Sequence, residues 1–304
     1  MRKVLIVEDD SDFRQLLVRR LERELNMQPV EAASLAEARE KLERDQFFAA
    51  LLDLHLPDAP DGEVVDLVRE RGIPVIVLTG EHSAENRRKI WARRVVDYIP
   101  KDSPADIAYA VSTVGRLRQN QARAALIVCE AEEKRRHWSD LLENQLLHTF
   151  QVRTTEEAGK WLDRTSVRLL IIQAEPGDES VCRLITRVRR RHKKSDLAIL
   201  VISKGDSTER ATRYLKMGAS DYMREPFSTE EFLCRLTLHL DNLQMFQGLM
   251  NQAQHDYLTG LYNRLYLSER TEAWPAQYRA GERGSFSLAV LDIDHFKDIN
   301  DNNG

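Results

Sequence analysis

Short apolar runs alternate with amphipathic helical stretches over roughly the first 120 residues. The runs lie at 4–7, 49–54, 74–79 and 95–99, and the apolar residues after each run recur every three or four positions. A less apolar segment, MQPVEAA at 27–33, adds a fifth unit. Continuous β-branched runs between helices are typical of a parallel sheet covered on both faces. The pattern predicts a doubly wound (βα)5 domain of the α/β class.

The same pattern then starts again. The runs ALIV (125–128), RLLII (168–172), AILVIS (198–203) and GASDYM (218–223) match runs of the first copy at nearly constant offsets, for example 121 residues for 125 against 4 and 124 residues for 198 against 74. An internal duplication therefore predicts a second (βα)5 domain. The polar connector RLRQNQAR at 116–123 contains no Pro or Gly and is predicted to continue the last helix of the first copy.

A long helix is predicted after the second copy. No proline interrupts the segment from Ser228 to Gln254. The apolar positions that follow a three-four alternation there are Leu233, Leu236, Leu240, Leu243 and Met250, with Gln247 as the polar exception. For the first half of this seam, packing on its own domain and packing on a partner helix are equally compatible with the pattern. Beyond the domain edge we expect a partner helix.

Composition narrows the class of protein. The 304 residues carry 31% charged side chains of both signs and a formal net charge of -4, which argues against a generic nucleic-acid binder. No apolar run is long enough to span a bilayer or to form a signal peptide, so we expect a cytoplasmic protein without membrane insertion. The three cysteines form no CxxC pair and are expected to be reduced and mostly buried. The basic run RVRRRHKK at 187–194 is expected to be a solvated helix end, with contact to a polyanion as the alternative.

Polar residues mark the carboxyl ends of the predicted strands in the first copy, where α/β sheets place their chemistry. Glu8 and Asp9 follow the first strand, Asp53 ends the third, Thr79 ends the fourth and Lys101 follows the fifth. Clustered carboxylates suit Mg²⁺, a hard cation that takes oxygen ligands. A lysine beside them can neutralise charge on a transferred phosphoryl group. Each residue alone is more often a cap, a turn former or solvated surface.

This combination resembles the receiver domain of two-component systems over residues 1 to about 121. The resemblance implies that Asp53 accepts a phosphoryl group, that Thr79 and Lys101 contact it, and that Tyr98 is a switch residue. It also implies that Glu8, Asp9 and Asp53 hold Mg²⁺ together with the backbone carbonyl of His55. The turn LPDAPDG is one residue longer than usual, Asp102 replaces the usual proline, and WARRVV replaces a small, Gly-containing helix end.

The second copy has lost most of these residue types. Its corresponding strand ends carry Cys129, Glu130, Gln173, Ser203 and Glu225. Gln173 has no anionic oxygen to attack phosphorus, and Glu225 places negative charge where the reaction needs a cation. We expect this copy to be a scaffold that is not phosphorylated and that serves as an adaptor or dimerisation surface.

Two motifs after the second copy resemble the start of a GGDEF diguanylate cyclase domain. They are DYLTGLYNRLYL (256–267) and LDIDHFKDIND (291–301). The resemblance implies the joining of two GTP molecules into cyclic di-GMP with the help of Mg²⁺. The implied metal ligands and nucleotide-binding residues are Asp292, the Ile293 carbonyl, Phe296, Lys297 and Asn300. Asp294 points the other way on an extended strand and is not expected to be a ligand.

The expected architecture is that of PleD-like response regulators: two tandem doubly wound (βα)5 flavodoxin-like receiver domains, a long helix and the N-terminal part of an α+β GGDEF domain. The expected boundaries are 1–121 for the phosphorylatable receiver, 122–244 for the degenerate receiver, and 245–304 for the linker helix and an incomplete GGDEF domain. The GG[DE]EF hairpin is absent from these 304 residues, so we expect them to be inactive as a cyclase while the full-length parent is active.

The predicted function is a response regulator whose phosphorylation on Asp53 controls dimerisation and cyclase output. Its predicted partners are a cognate histidine kinase or phosphotransfer protein, GTP through the complete cyclase domain, and a second copy of itself. One alternative is a phosphorylation-dependent adaptor with an inactive cyclase remnant. The other is a transcriptional regulator, which the lack of a helix-turn-helix candidate after the second copy disfavours.

Overall fold

The computed structural model describes residues 1–81, 83–175, 178–205, 208–256, 258–268, 289–291, 294 and 301. The chain divides into two compact units, Met1–Gln244 and Met245–Gly304. The first unit contains two α/β domains in sequence. Across the described residues, no helix is both long and apolar enough to cross a bilayer.

The first α/β domain is a five-stranded parallel sheet of order β2-β1-β3-β4-β5. Its strands are β1 (Lys3–Val7), β2 (Gln28–Ala32), β3 (Ala49–Asp53), β4 (Val75–Thr79) and β5 (Asp97–Pro100). Its helices are α1 (Ser11–Leu25), α2 (Leu35–Arg44), α3 (Glu63–Arg69), α4 (Ala84–Ala92) and α5 (Pro104–Asn120). β3 and β4 are buried along their whole length, because helices cover both faces of the sheet. The predicted α/β fold with a parallel sheet is confirmed.

The second α/β domain repeats this topology, with the order β7-β6-β8-β9-β10. Its strands are β6 (Ala124–Val128), β7 (His148–Val152), β8 (Leu169–Ala174), β9 (Ala198–Lys204) and β10 (Asp221–Glu225). Its helices are α6 (Glu132–Asn144), α7 (Thr155–Leu162), α8 (Glu179–Arg189), α9 (Thr208–Met217) and α10 (Thr229–Gln254). Among the described residues, the cis peptide bond is Glu225–Pro226, and Lys101–Asp102 is trans.

Side-chain caps start several helices at the carboxyl ends of strands. Asp10 caps α1 by accepting hydrogen bonds from the backbone N–H groups of Asp12 and Phe13. Ser103 and Asp106 form a capping box at the start of α5. These caps fix where the chain turns from strand to helix, and so they position the loops that carry the polar residues of the strand ends.

α5 ends at Asn120, so the expectation that residues 116–123 are helical throughout is wrong for the last three.

The basic run at 187–194 has structural roles. Arg189 is half-buried and donates hydrogen bonds to the carbonyl oxygens of Gly218 and Leu197. Arg187 and Arg191 both form ion pairs with Asp163, with nitrogen–oxygen distances of 2.5 Å. Most of the run is exposed, as expected for a solvated helix end, whereas Arg189 is half-buried and has a structural role. Contact of the exposed basic residues with a polyanion stays a prediction.

The long helix α10 matches the predicted segment to within one residue at its start. Leu233, Leu236, Leu240 and Leu243 are buried, because they pack on the second domain beside Trp138 and Phe232. The predicted continuation at Met250 is exposed, together with Met245, Phe246 and Leu249. The seam therefore changes from a core contact to an uncovered apolar surface along one continuous helix.

Cys129 and Cys182 are buried and Cys234 is exposed, and all three are free thiols.

The two α/β domains contact each other through the α4, β5 and α5 side of the first. Gln145 Nε2 donates to the carbonyl of Val96 at 2.7 Å, and Asn120 Nδ2 donates to the carbonyl of Gln145 at 3.0 Å. Arg116 on α5 pairs with Asp241 on α10 at 3.2 Å. The buried amide bonds make this a specific interface, because a buried amide without a partner would be costly.

Trp91 on α4 connects the hydrophobic cores of the two domains. Its ring packs against the core cluster around Val64 and Val77 of the first domain and against the cluster around Trp138 of the second. The WARRVV segment, which departs from the small helix end typical of receivers, therefore supplies an interdomain contact. Arg87 on the same helix forms an ion pair with Glu230, next to the start of α10.

Candidate functional site

The candidate site lies at the carboxyl edge of the first sheet. β1 and β3 are neighbours in the sheet, and Val7 pairs in register with Leu52. Glu8 and Asp9 at the end of β1 therefore lie beside Asp53, the last residue of β3. One oxygen from each of the three carboxylates falls within 4.8 Å of the others. Because the strands are parallel neighbours, Glu8 and Asp53 meet although they lie 45 residues apart in the sequence.

The three carboxylates differ in exposure. Glu8 is 1% exposed and Asp53 is 6% exposed, whereas Asp9 is open to solvent. Burial raises the pKa of Glu8 to about 7, although the contact with Lys101 acts in the opposite direction. Asp53 Oδ1 accepts a hydrogen bond from the backbone N–H of His55 at 3.2 Å. The cluster therefore combines a solvent-facing carboxylate with two buried ones.

Lys101 is the cation that faces this cluster. Its Nζ lies 2.5 Å from Glu8 Oε2 and 2.8 Å from Asp53 Oδ2. The aromatic ring of Phe13, on α1, lies with its centroid 5.0 Å from the ammonium. The lysine is held between anionic and aromatic groups, which favours a fixed position over free solvation.

The donor set of this site fits a magnesium ion. The available ligands are carboxylate oxygens, the type that Mg²⁺ prefers. Glu8 Oε2 is buried, and the Lys101 ammonium lies 2.5 Å from it. A bound ion would share this carboxylate with Lys101. Glu8, Asp9 and Asp53 are the residues that would hold the metal.

Replacing Glu8 with glutamine is expected to weaken Mg²⁺ binding by at least about tenfold, because one of three anionic ligands becomes neutral. Isothermal titration calorimetry with MgCl₂ measures this change. The folded state should not lose stability, since the substitution removes a carboxylate whose burial is unfavourable when ionised. The matched control is Glu133→Gln, a neutralised exposed carboxylate on α6. Equal Mg²⁺ affinity in the Glu8 variant and this control would place the metal elsewhere.

A hydrogen-bonded relay runs from the site toward α4. Thr79 Oγ1, buried at the end of β4, accepts from the backbone N–H of Glu81 at 3.0 Å. Tyr98 Oη donates to the carbonyl oxygen of Glu81 at 2.7 Å, and burial raises the pKa of this phenol. Asn86 on α4 donates to the Glu81 carboxylate at 2.7 Å. Glu81 thus joins Thr79, Tyr98 and α4.

His55 has contacts beyond the role that was predicted for it. Its ring nitrogens lie 2.9 Å from the carbonyl oxygen of Pro60 and 2.9 Å from the carboxylate of Glu81. These contacts fix the longer turn after β3 against the loop after β4. Metal binding by the His55 carbonyl stays a prediction.

Sequence reasoning missed Arg14 as a structural part of the site. Its guanidinium on α1 donates to the carbonyl oxygens of Glu8, at 2.5 Å, and of Asp9. Arg135 in the second domain makes the same contacts to Cys129 and Glu130. The signal was present in the duplication, because 135 and 14 differ by 121, which is the offset between Cys129 and Glu8.

The corresponding edge of the second domain carries an inverted charge pair. Lys134 on α6 contacts both oxygens of Glu225 at 2.7 and 2.6 Å. Lys134 stands at the position of Phe13 and Glu225 at that of Lys101, so in the second domain the strand end carries the anion and the helix carries the cation. Cys129 Sγ lies 2.6 Å from Gln173 Oε1, and burial raises the pKa of this thiol. Within the part of the chain that the structure describes, carboxylates cluster as a metal site in the first domain alone.

The predicted cyclase residues Asp292, Ile293, Phe296, Lys297 and Asn300 lie outside the described residues. The first cyclase motif is described apart from residue 257. Asp256 Oδ1 accepts hydrogen bonds from the backbone N–H and the hydroxyl of Thr259 at 2.9 and 2.8 Å. These bonds hold the pKa of the Asp256 carboxyl below its usual range. Asp256 thus orders the turn that follows α10.

Comparison with protein families gives two matches. The response regulator receiver domain matches residues 4–112, and the diguanylate cyclase GGDEF domain matches residues 253–304. Among curated proteins, the response regulator protein PilR of Pseudomonas aeruginosa is 32% identical over 129 residues, which cover 41% of this chain and 28% of PilR. The transcriptional regulatory protein SrrA of Staphylococcus aureus is 32% identical over 143 residues, which cover 46% of this chain and 56% of SrrA. The chain therefore spans between about a quarter and a little over half of these relatives.

Two solved structures are similar over most of the chain. One is a crystal structure described as a putative two-component system response regulator/GGDEF domain protein, with 34% identity and a TM-score of 0.71. The other is described as a probable two-component system response regulator/GGDEF domain protein, with 35% identity and a TM-score of 0.70. Each similarity covers 80% of this chain and 100% of the compared chain. The chain belongs to the two-component response regulators that combine a receiver domain with a GGDEF domain.

Proposed function

We propose that Asp53 accepts a phosphoryl group from a histidine kinase or phosphotransfer protein, and that this event controls a diguanylate cyclase output. The single observation that carries the proposal is the convergence of Glu8, Asp9, Asp53 and Lys101 on one sheet edge. The GGDEF match indicates the diguanylate cyclase family, whose reaction joins two GTP molecules into cyclic di-GMP.

The chemistry of the first step follows from the charges at this edge. An oxygen of the Asp53 carboxylate attacks the phosphorus of a phosphohistidine, the phosphorus–nitrogen bond breaks, and the imidazole leaves with the bonding electron pair. Lys101, 2.8 Å from Asp53, neutralises negative charge on the transferred group. The Thr79 hydroxyl donates to a phosphoryl oxygen. A bound Mg²⁺ would supply further charge neutralisation at the phosphoryl oxygens.

The relay through Glu81 offers a route from Asp53 to the rest of the chain. If the Thr79 hydroxyl turns to a phosphoryl group, it gives up its place as acceptor for the Glu81 N–H, and the loop that holds Tyr98 must adjust. This loop leads directly into α4, whose Arg87 and Trp91 contact the second domain. We therefore propose that phosphorylation acts first on the interface between the two α/β domains. The switch role of Tyr98 is part of this proposal.

The second α/β domain is proposed to be a degenerate receiver with an adaptor role. Gln173 offers no nucleophilic carboxylate, and the Lys134–Glu225 pair occupies the region where a phosphoryl group and its lysine would meet. We assign residues 1–121 to the phosphorylatable receiver, 122–244 to the adaptor, and 245–304 to the linker helix and the GGDEF region.

A homodimer is proposed as the active state, because each cyclase domain binds one GTP and the reaction needs two. The α4, β5 and α5 side of the first domain already contacts the second domain of the same chain, so a dimer interface would involve both domains. The exposed second half of α10 provides a further surface: residues 242–254 contain no charged side chain, and Met245, Phe246, Leu249 and Met250 are exposed. Two such helices can pair without charge repulsion.

The catalytic roles in the GGDEF region also stay proposals. Asp292 and the Ile293 carbonyl would hold Mg²⁺, whereas Phe296, Lys297 and Asn300 would bind GTP. A cytoplasmic location and the lack of DNA binding are proposed on composition. The alternative remains a phosphorylation-dependent adaptor with an inactive cyclase domain, and an assay for the formation of cyclic di-GMP from GTP separates the two.

The phosphoryl mimic beryllofluoride, added with Mg²⁺, is expected to shift the chain from monomer toward dimer in light scattering coupled to size exclusion. An increase of about tenfold in the dimerisation constant corresponds to about 1.4 kcal/mol of coupling. Asp53→Asn should remove the shift, because beryllofluoride coordinates the carboxylate that this variant lacks. Gln173→Asn in the second domain is the matched control and should keep it. A monomer fraction that beryllofluoride leaves unchanged would contradict the dimer proposal while leaving the phosphorylation proposal standing.

A further inference from the structure

A groove of about 600 Å³ lies between the two α/β domains, away from the site at Asp53. Its walls come from α4 of the first domain and from α6 and the start of α10 of the second. The volume falls within the range of small-molecule sites, about 300–1,000 Å³. A ligand in this groove would contact both domains at once.

The charged residues that line the groove carry a net positive charge. Three arginines face two carboxylates: Arg87 pairs with Glu230 and Arg94 pairs with Asp140, which leaves one positive charge (3 − 2 = 1). The remaining arginine is Arg88, an exposed side chain without a partner among the described residues. His137, also unpaired within the described part of the chain, lies on the α6 wall. The groove therefore has spare donors but no spare acceptor among its charged groups.

The apolar part of the lining contains Trp91 and Leu141. The indole Nε1 of Trp91 is buried and lacks a hydrogen-bond partner among the described residues. A buried N–H without an acceptor costs about 1–3 kcal/mol, and native structures rarely keep one. Because this N–H is closed off from solvent, an acceptor in the groove does not reach it, and Trp91 contributes its ring to the wall of the groove. The indole ring itself offers a surface on which a planar group can stack.

We propose that this interdomain groove binds a small organic anion with an aromatic body, of about mononucleotide size. Arg88 and His137 contact the anionic group, and the ring of Trp91 contacts the aromatic body. Because the ligand bridges α4 and α6, it favours the domain arrangement that forms the groove, and its binding is thermodynamically coupled to any signal that changes this arrangement. The groove would thus give the chain a second input besides phosphorylation.

The test uses isothermal titration calorimetry on the 304-residue chain. The aromatic anions are adenosine 5′-monophosphate, guanosine 5′-monophosphate and indole-3-acetate. The first two carry a phosphate and the third carries a carboxylate, so the comparison shows which anionic group the groove prefers. The matched probes are inorganic phosphate, which lacks the aromatic body, and adenosine, which lacks the charge. At least one aromatic anion is expected to bind with Kd below about 1 mM, and about tenfold or more tighter than both matched probes. Equal binding of inorganic phosphate, or no binding of any aromatic anion, overturns the proposal.

Two variants locate the binding in the groove. Arg88→Ala is expected to weaken the anion about tenfold, because a charge-assisted contact is lost from an exposed residue whose removal leaves the fold intact. Trp91→Leu removes the aromatic ring, and a few-fold loss is expected because the contact with the aromatic body is lost. Arg190→Ala removes an exposed arginine of the second domain and should change nothing. If the Arg88 and Arg190 variants bind the aromatic anion with the same affinity, the ligand binds to another part of the chain and the proposal is overturned.

Discussion

A chain with Asp53→Asn is expected to incorporate at least about a hundredfold less phosphoryl group from acetyl phosphate than the parent chain. The amide of asparagine has no anionic oxygen to form the bond to phosphorus, although it occupies nearly the same volume. In the parent chain, an Asp53 oxygen gains the bond to phosphorus, the phosphorus–oxygen bond of acetyl phosphate breaks, and acetate leaves. Incorporation is measured as ³²P counts per chain in the presence of Mg²⁺. The parent should reach a plateau near one phosphoryl group per chain.

The second domain provides the internal control for this experiment. Gln173→Asn shortens the residue at the position corresponding to Asp53 and should leave incorporation unchanged, because the second domain already lacks a nucleophile there. Proteolysis followed by mass spectrometry should place the phosphoryl group in the peptide that contains Asp53. Label that persists in the Asp53 variant, or that maps to the second domain, would show that the roles of the two domains have been assigned the wrong way round.

Replacing Phe232 with alanine is expected to lower the free energy of unfolding by about 3–5 kcal/mol. Phe232 on α10 is fully buried, and its ring stacks on Phe227 with a centroid separation of 5.8 Å. It belongs to the core cluster that contains Trp138 and the buried leucines of α10. Truncation removes apolar area and leaves a cavity that the surrounding side chains cannot fill fully. Urea denaturation followed by circular dichroism measures the loss.

Phe246 is the matched control because it lies on the same helix and is 52% exposed. Its replacement by alanine should change the free energy of unfolding by less than about 0.5 kcal/mol. A loss of several kcal/mol at Phe246 would mean that this surface is covered in solution, as a dimer through the second half of α10 requires. Repeating the measurement at several protein concentrations distinguishes these outcomes, because the stability of a dimer depends on concentration.

Much of the fold could be predicted because the central strands are continuous apolar runs. β1, β3 and β4, and their counterparts β6, β8 and β9, are buried on both faces, and a buried strand has an unambiguous sequence pattern. β7 went unrecognised because it is an edge strand whose residues are mostly partly or fully exposed. Its sequence, HTFQV, contains one apolar aromatic and one valine, too few to indicate a strand without the duplication as a guide.

The candidate site was predictable to the extent that it depends on strand ends. Parallel strands in a known order bring Glu8, Asp53 and Lys101 to one edge, so residue type and strand position were sufficient. The contacts from α1 and α6 were not predictable in the same way. Whether Phe13 faces Lys101, or Lys134 faces Glu225, depends on helix rotation and side-chain direction. The interface between the α/β domains was hidden for a similar reason, since Gln145 and Asn120 are polar residues that single-sequence patterns assign to the surface.

The ion pair Lys134–Glu225 limits which single substitutions could give the second domain the charged residues of the first. Restoring an aspartate at Gln173 alone would place a new negative charge near Glu225 without a lysine at the strand end to accept it. Exchanging Glu225 for lysine alone would set two ammonium groups against each other, because Lys134 reaches the same spot. Each single reversal is therefore worse than the present arrangement, and several replacements would be required together. Substitutions toward the residues of the first domain are therefore coupled to one another through a single ion pair, Lys134–Glu225.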